Sequence, residues 1–241
     1  MINPKTILVT GGEGKFAQEL LKKNNIHKIH TPPKSEVDIT NYWQLSNWLG
    51  FVQPDIVIHA AALTRPMVKH VESPRKSIQT NIVGTSYVCM ACMNHNIKII
   101  YISTDYVYPG IDGNYKEEDP VLPVNEYAIS KMGGECAVQL YDNSLILRMS
   151  MTERPFTHPK ALVDSKKNLL YIDEAAAICL KLLDEKGIIN VGGSQTTPYD
   201  FVKETNPHIG KIYRKDISDV KMAKDSSMNL SKLKKALHHE D

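Results

Sequence analysis

Residues 7–21 read ILVTGGEGKFAQELL, an apolar run, then a glycine turn, then apolar positions at helical spacing. Gly12, Gly14 and Ala17 stand in the G-x-G-x-x-G/A pattern directly after the strand-like run and open the helix-like one. In this pattern the first glycine permits a tight turn, the second lets the backbone approach a pyrophosphate, and the small third residue keeps helix and strand close. The free N–H groups and the positive end of the helix dipole then favour an anion. A glycine-rich turn can also do no more than join a strand to a helix, and its neighbours decide between the two.

Outward from this turn, short apolar runs alternate with helical patterns. TILVT at 6–10, DIVIHAA at 55–61, KIIYIST at 98–104 and SLILRMS at 144–150 read as buried strands. Helical stretches are expected over Phe16 to Lys23, Tyr42 to Gly50, Pro74 to His95 and Glu126 to Tyr141. Strand–helix alternation implies an α/β fold with a doubly wound parallel sheet of Rossmann type. After residue 150 the rhythm changes, with a helical run from Asp173 to Leu183, a strand-like GIINVGG at 187–193 and a basic, polar tail. The expected organisation is an NAD(P)-binding domain over 1–150 and a small substrate lobe over 151–241 packed directly against it, with the final HHED as a frayed end.

Composition narrows the function classes. Of 241 residues, 42% are hydrophobic and 23% charged, and the net charge of +2 gives no strong field for nucleic acid or a membrane surface. No run approaches the roughly 18–20 apolar residues of a spanning helix, and Met1 to Thr10 enters a strand pattern without a cleavable signal, so a cytoplasmic protein is expected. Cys89 and Cys92 have C-x-x-C spacing but no second ligand pair, and they read as buried thiols rather than a metal site.

In NEYAISKMGGE, Tyr127 and Lys131 are four residues apart on an expected helix and so share one face. A phenol with a pKa near 10 is a poor proton-transfer group at neutral pH, and a neighbouring ammonium stabilises its phenolate. ISTDYVY at 102–108 ends a central strand, so Ser103, Thr104 and Asp105 should emerge at the carboxyl edge of the sheet, where ligands bind. A Thr104 hydroxyl there completes a Thr–Tyr–Lys set. His59 reads as a satisfied strand residue. Around KIHTPPKSEVD no acid precedes Glu36, so Lys34 or Ser35 is free to meet a 2′-phosphate, which favours NADP(H) over NAD(H).

These residues together resemble the extended short-chain dehydrogenase/reductases, and within them the nucleotide-sugar 4-ketoreductases. The resemblance is clear over about residues 5 to 150 and rests on TGGEGKFA, VDIT at 37–40, IHAAALT at 58–64, TNIVGT at 80–85, STDYVY and YAISK. It implies cofactor contacts at Gly11, Gly12, Gly14, Lys15, Phe16, Asp38, Ile39, Ala60, Ala61, Ala62, Asn81, Ser103, Tyr127 and Lys131. Thr104, Tyr127 and Lys131 would act on the C4 oxygen of a nucleotide-sugar, with Lys131 also holding the nicotinamide ribose. Thr64, Asp105, Arg148 and Arg154 are the implied substrate contacts, and Lys160 is a further diphosphate candidate. Related 4,6-dehydratases carry a glutamate after the aspartate, whereas Asp105 is followed by Tyr106, so elimination lacks its base. Epimerases of the same superfamily and a non-catalytic NADP-binding regulatory subunit stay open as alternatives. Ala17 replaces the usual third glycine, and the short lobe admits a cleft completed by a second copy in a homodimer.

Overall fold

The computed structural model describes residues 3–238; the end of the tail, 239–241, expected to fray, lies outside the described residues. In chain order the first half contains β1 (Thr6–Thr10), α1 (Lys15–Lys23), β2 (Lys28–His30), α2 (Tyr42–Val52), β3 (Ile56–His59), the short turns α3 (Lys69–Glu72) and α4 (Pro74–Ser77), α5 (Thr85–His95) and β4 (Lys98–Thr104). There follow α6 (Glu126–Val138), β5 (Ser144–Met149), β6 (Met151–Thr152), β7 (Lys160–Leu162), β8 (Leu170–Tyr171), α7 (Ile172–Lys181), β9 (Gly187–Val191), α8 (Pro198–Lys203), β10 (Gly210–Ile212) and α9 (Ser231–His238).

Six strands form a parallel sheet in the order β2-β1-β3-β4-β5-β9. A parallel sheet must be covered on both faces, and the period-2 alternation of its apolar residues divides them between two cores. Ile7, Val9, Ile56, Ile58, Ile100 and Leu145 pack with Ala17 and Leu20 of α1 and Ala176 and Cys179 of α7. Leu8, Val57, Ile99, Tyr101 and Ile146 pack on the opposite face with Leu45 and Leu49 of α2 and Val88 and Cys92 of α5. Asn41 caps α2 and Asn125 caps α6, each accepting a backbone N–H from three residues on.

Two expectations are corrected. The stretch read as one α-helix over Pro74 to His95 is helical throughout but changes register: α4 leads through a π-helical turn, Ile78–Gly84, into α5. The turn contains Asn81, whose side chain is engaged outside the helix, in keeping with the functional placement of such turns. Residues 172–191, assigned by sequence to the lobe, instead complete the central domain, because β9 pairs with β5 and α7 packs on α1. The apolar edge of β5 and the outer face of α1 need that cover. Among the described residues, the β7–β10 and β6–β8 pairs lie outside the sheet, with α8 packed on β7.

The chain winds from β1 to β2 on one side and to β3 on the other, so the crevice opens at the carboxyl ends of β1 and β3. No helix of the described residues is long and apolar enough to cross a membrane.

Candidate functional site

The glycine turn lies at this crevice. Gly11 has φ +73°, and a Cβ there would meet the Ala61 backbone at 2.9 Å. A Cβ on Gly12 would lie 2.4 Å from the Thr31 carbonyl group, so the turn is wedged between the ends of β2 and β3. The left-handed turn thus falls on Gly11, one residue before the position read from the motif. The Gly14 N–H closes the turn on the Gly11 carbonyl at 2.9 Å. Gly14 then starts α1 with no side-chain cap and no acid in the first turn, which leaves helix N–H groups free for an anion. Lys15 is exposed beside it, with its Nζ 2.7 Å from Glu153. The Phe16 side chain enters the core, so its backbone N–H is what it offers a ligand.

At the adenosine end, the Asp38 carboxylate accepts the Thr40 N–H at 2.9 Å and Oγ1 at 2.8 Å. Partial burial raises its pKa, but Thr40 and Lys34 outweigh this and hold it below the ordinary value. Asp38 therefore caps a turn, and the Ile39 side chain packs in the core against Gly84, which leaves the Ile39 backbone for a ligand. Lys34 is 76% exposed with its Nζ 3.5 Å from Asp38 Oδ2, and its backbone N–H reaches Glu13 at 3.3 Å.

Ala60, Ala61 and Ala62 continue β3 half-buried, with the Ala61 N–H on Thr10 Oγ1 at 3.3 Å. Asn81 fastens the next stretch: its amide oxygen accepts the Leu63 N–H at 2.8 Å, and its amide nitrogen donates to the Leu63 carbonyl at 2.9 Å and to Ser130 Oγ at 2.8 Å. It thereby ties the exit of β3 to α6. His59 is fully buried with both ring nitrogens bonded, to Thr10 at 2.7 Å and Thr85 at 2.9 Å. Burial, assisted by Lys131, brings its pKa down to about 3, so it stays neutral.

Thr104 ends β4, and Tyr127 comes against it from the first turn of α6. Burial pushes the Tyr127 phenol well up, with Asp105 adding to the rise, while the Thr104 hydroxyl and Arg65 pull it back. At neutral pH it is a protonated acid. Lys131, one turn further, is 3% exposed with its Nζ 4.1 Å from the Tyr101 ring centroid. Burial brings its ammonium down to about 7 against the upward pull of Glu135. Ser103 is buried beside Thr104, with its Oγ among the buried polar atoms lacking a partner. An uncapped helix N-terminus, a turn that excludes a Cβ and this orphan hydroxyl are what a dinucleotide needs, and the residues present fit one.

Two substrate assignments are corrected. Arg148 lies on buried β5, and its guanidinium is consumed by Glu135, with Nη2 to Oε2 at 2.8 Å, and by the Tyr108 hydroxyl at 2.9 Å. Asp105 is 2% exposed and bonded to Lys167 and Ser226, so its carboxylate meets no solvent-borne ligand. Thr64 and Lys160 are exposed. Arg154 is half exposed over the Tyr171 ring, 3.4 Å from Glu174. Sequence reasoning missed Lys167, Ser226, Arg65 and Glu153. Glu153 joins Lys15 and Arg65 across the crevice, and its place just beyond β5 was a signal that the sheet edge carried charge. Cys89 and Cys92 are buried thiols, with burial raising Cys89 to about 11, and no group of the described residues could hold a metal.

A doubly wound Rossmann sheet, with Tyr127 brought against Thr104 at the end of β4 and Lys131 one turn along α6, fits one class: the extended short-chain dehydrogenase/reductases. The chain belongs to the RmlD substrate binding domain family, whose profile matches residues 5–152. A dTDP-4-dehydrorhamnose reductase of Aggregatibacter actinomycetemcomitans is 34% identical over 151 residues, 61% of this chain and 51% of that protein. Methionine adenosyltransferase 2 subunit beta of Pongo abelii is 31% identical over 143 residues, 56% of this chain and 42% of that one. The chain spans about half the length of the curated relatives it matches. Among solved structures, the dTDP-4-dehydrorhamnose reductase of Bacillus anthracis in complex with NADP superposes with a TM-score of 0.84 at 22% identity, covering 97% of this chain and 92% of that one, a likeness of fold.

Proposed function

We propose that this chain is an NADP(H)-dependent reductase of a nucleotide-sugar 4-ketone. The observation that carries the reading is the approach of Tyr127, in the first turn of α6, to the Thr104 hydroxyl at the end of β4, with Lys131 one turn along the same helix; the uncapped terminus of α1 after the glycine turn supports it. The family relationship and the reductase among the relatives support the sugar substrate.

The turn at Gly11, Gly12 and Gly14 and the first N–H groups of α1 would hold the cofactor pyrophosphate, with Ser103 Oγ and Lys131 toward the nicotinamide end. The bound nicotinamide supplies the hydride. Tyr127, protonated in its buried setting, gives its proton to the carbonyl oxygen, and the Lys131 ammonium stabilises the phenolate left behind. The Thr104 hydroxyl hydrogen-bonds the same oxygen. The exposed Lys34 ammonium, with no acid between Lys28 and Ser35, supports NADP(H) as the preferred cofactor. The strand pairs and α8 outside the sheet form the substrate lobe, where Arg154 remains as a contact for the sugar nucleotide, with exposed Thr64, in the loop after β3, as a second.

Purified protein should oxidise NADPH when given a 4-keto-6-deoxy sugar nucleotide, with a lower KM for NADPH than for NADH. Tyr127→Phe should abolish turnover while leaving cofactor binding intact, and turnover that survives the change would overturn the assigned role. A second reading, a non-catalytic cofactor-binding subunit, draws on the relative named as a methionine adenosyltransferase subunit. NADPH binding without turnover on a panel of sugar nucleotides would favour it.

A further inference from the structure

The Asp105 carboxylate carries three donors on its two oxygens. Oδ2 accepts both Lys167 Nζ and Ser226 Oγ at 2.6 Å, while Oδ1 accepts Thr104 Oγ1 at 3.2 Å. The Lys167 and Asp105 side chains are 8% and 3% exposed, and Lys167 Nζ also stands 3.5 Å from the Tyr106 ring centroid. Lys167 and Ser226 come from segments outside the central sheet, adjoining at the Lys166–Asp225 bridge. A buried ion pair contributes little net stability, so stability alone is a poor account of this lysine.

The two bond lengths point to another. A hydroxyl donating to a carboxylate closes to about 2.5–2.7 Å, which is the length of the Ser226 bond on Oδ2 but not of the Thr104 bond on Oδ1. Thr104 has one hydroxyl proton. It also accepts the Tyr106 N–H at 3.3 Å, so its lone pairs are partly used and the proton is what it can offer a ligand. To hydrogen-bond a reacting oxygen it must withdraw that proton from Asp105.

We propose that Lys167 is a positioning residue: together with Ser226 it saturates Asp105 Oδ2, so that Oδ1 orients the Thr104 hydroxyl without capturing it. The inference rests on the ketoreductase reading for its catalytic consequence. The same cation balances a negative charge that faces Tyr127. The other groups around that phenol are Tyr106 from the turn after β4, Arg65 from the β3 exit and the edge of His70 from α3, while Lys131 lies one turn further along its own helix.

The test combines kinetics with isotope-labelled tyrosine NMR of the complex with oxidised cofactor, in which the Tyr127 signal is assigned by its loss in Tyr127→Phe. Lys167→Met should lower kcat about 10- to 100-fold, less than the roughly 100- to 10,000-fold of a proton-transfer group itself because Lys167 acts through Asp105 and Thr104, with NADPH affinity unchanged. It should also raise the Tyr127 titration midpoint. Lys167→Met combined with Asp105→Asn should recover most of the kcat and return the midpoint toward that of the parent. Should Lys167→Met fail to fold, Asp105→Asn alone reads the coupling from the other side, and the midpoint should fall. A Tyr127 midpoint unmoved by these changes, or a double variant no better than Lys167→Met, overturns the proposal. If the midpoints move as stated but the parent protein does not turn over sugar nucleotides, the substrate reading fails and the charge coupling stands.

Discussion

Replacing Arg148 by Met separates two roles open to an arginine on β5. Its Nε lies 3.2 Å from each Glu135 oxygen, its Nη2 2.8 Å from Oε2, and its Nη1 2.9 Å from the Tyr108 hydroxyl and 3.2 Å from the Glu117 carbonyl. Side-chain exposures of 3% and 1% leave water little chance of replacing the guanidinium. Arg148→Met strands a buried carboxylate, which costs about 3–5 kcal/mol, a large share of the roughly 5–15 kcal/mol that holds a folded protein. At about 2–4 °C per kcal/mol for a domain of this size, the melting temperature should fall by roughly 6–20 °C. Adding Glu135→Leu removes the stranded charge and should restore most of the stability, since apolar replacement of a whole buried pair is often neutral. Urea unfolding followed by circular dichroism reads the stability, and Michaelis constants for NADPH and the sugar nucleotide read the site. Stability loss with both constants unchanged is expected. A variant within about 1 kcal/mol of the parent but with a tenfold weaker sugar-nucleotide KM would refute the structural role and return Arg148 to the substrate.

Three further outcomes are expected. His59 titrates near 6.5 when unfolded and about 3 when folded, so the two states differ in charge only as pH falls below 6.5. Each unit of descent in that window should then cost about 1.4 kcal/mol; urea unfolding should show this acid slope, and His59→Gln should flatten it at the expense of stability at neutral pH. Lys131, held at about 7 by burial, is largely neutral at pH 8 and should take up a proton when NADPH binds. Calorimetry in buffers of different ionisation enthalpy measures this uptake, and Lys131→Met should lose it. Gly12→Ala puts a methyl 2.4 Å from the Thr31 backbone; overpacking there should cost about 1–3 kcal/mol and weaken NADPH binding, read by fluorescence titration.

Much of the site was visible in the sequence because its signals are local. Tyr127 and Lys131 share a face through the 3.6-residue period, Thr104 ends an apolar run, and the glycines announce a turn before any contact is known. Locality also marks where such reading stops. The motif pointed to Gly12 for the tight turn, but the approach of Ala61 from β3 assigns the positive φ to Gly11 and gives Gly12 to the packing against Thr31. Asn81 was recognised, yet its π-helical turn was not, because the turn goes with bonds to Leu63 and Ser130, up to 49 residues away.

By itself the sequence determined the parallel α/β fold and pointed to the proposed Thr104–Tyr127–Lys131 set, since hydrophobic period and residue spacing act within one strand or one helix. Only the tertiary structure decided which charges are free. Arg148, Asp105 and Lys167 have the same composition signature as solvated residues, and their roles depend on partners 13 to 121 positions away in the chain. Burial removes water from these groups, so each must find its counter-charge wherever the fold brings one. That placed Glu135 against Arg148 and Lys167 against Asp105, and left Arg154 at the surface.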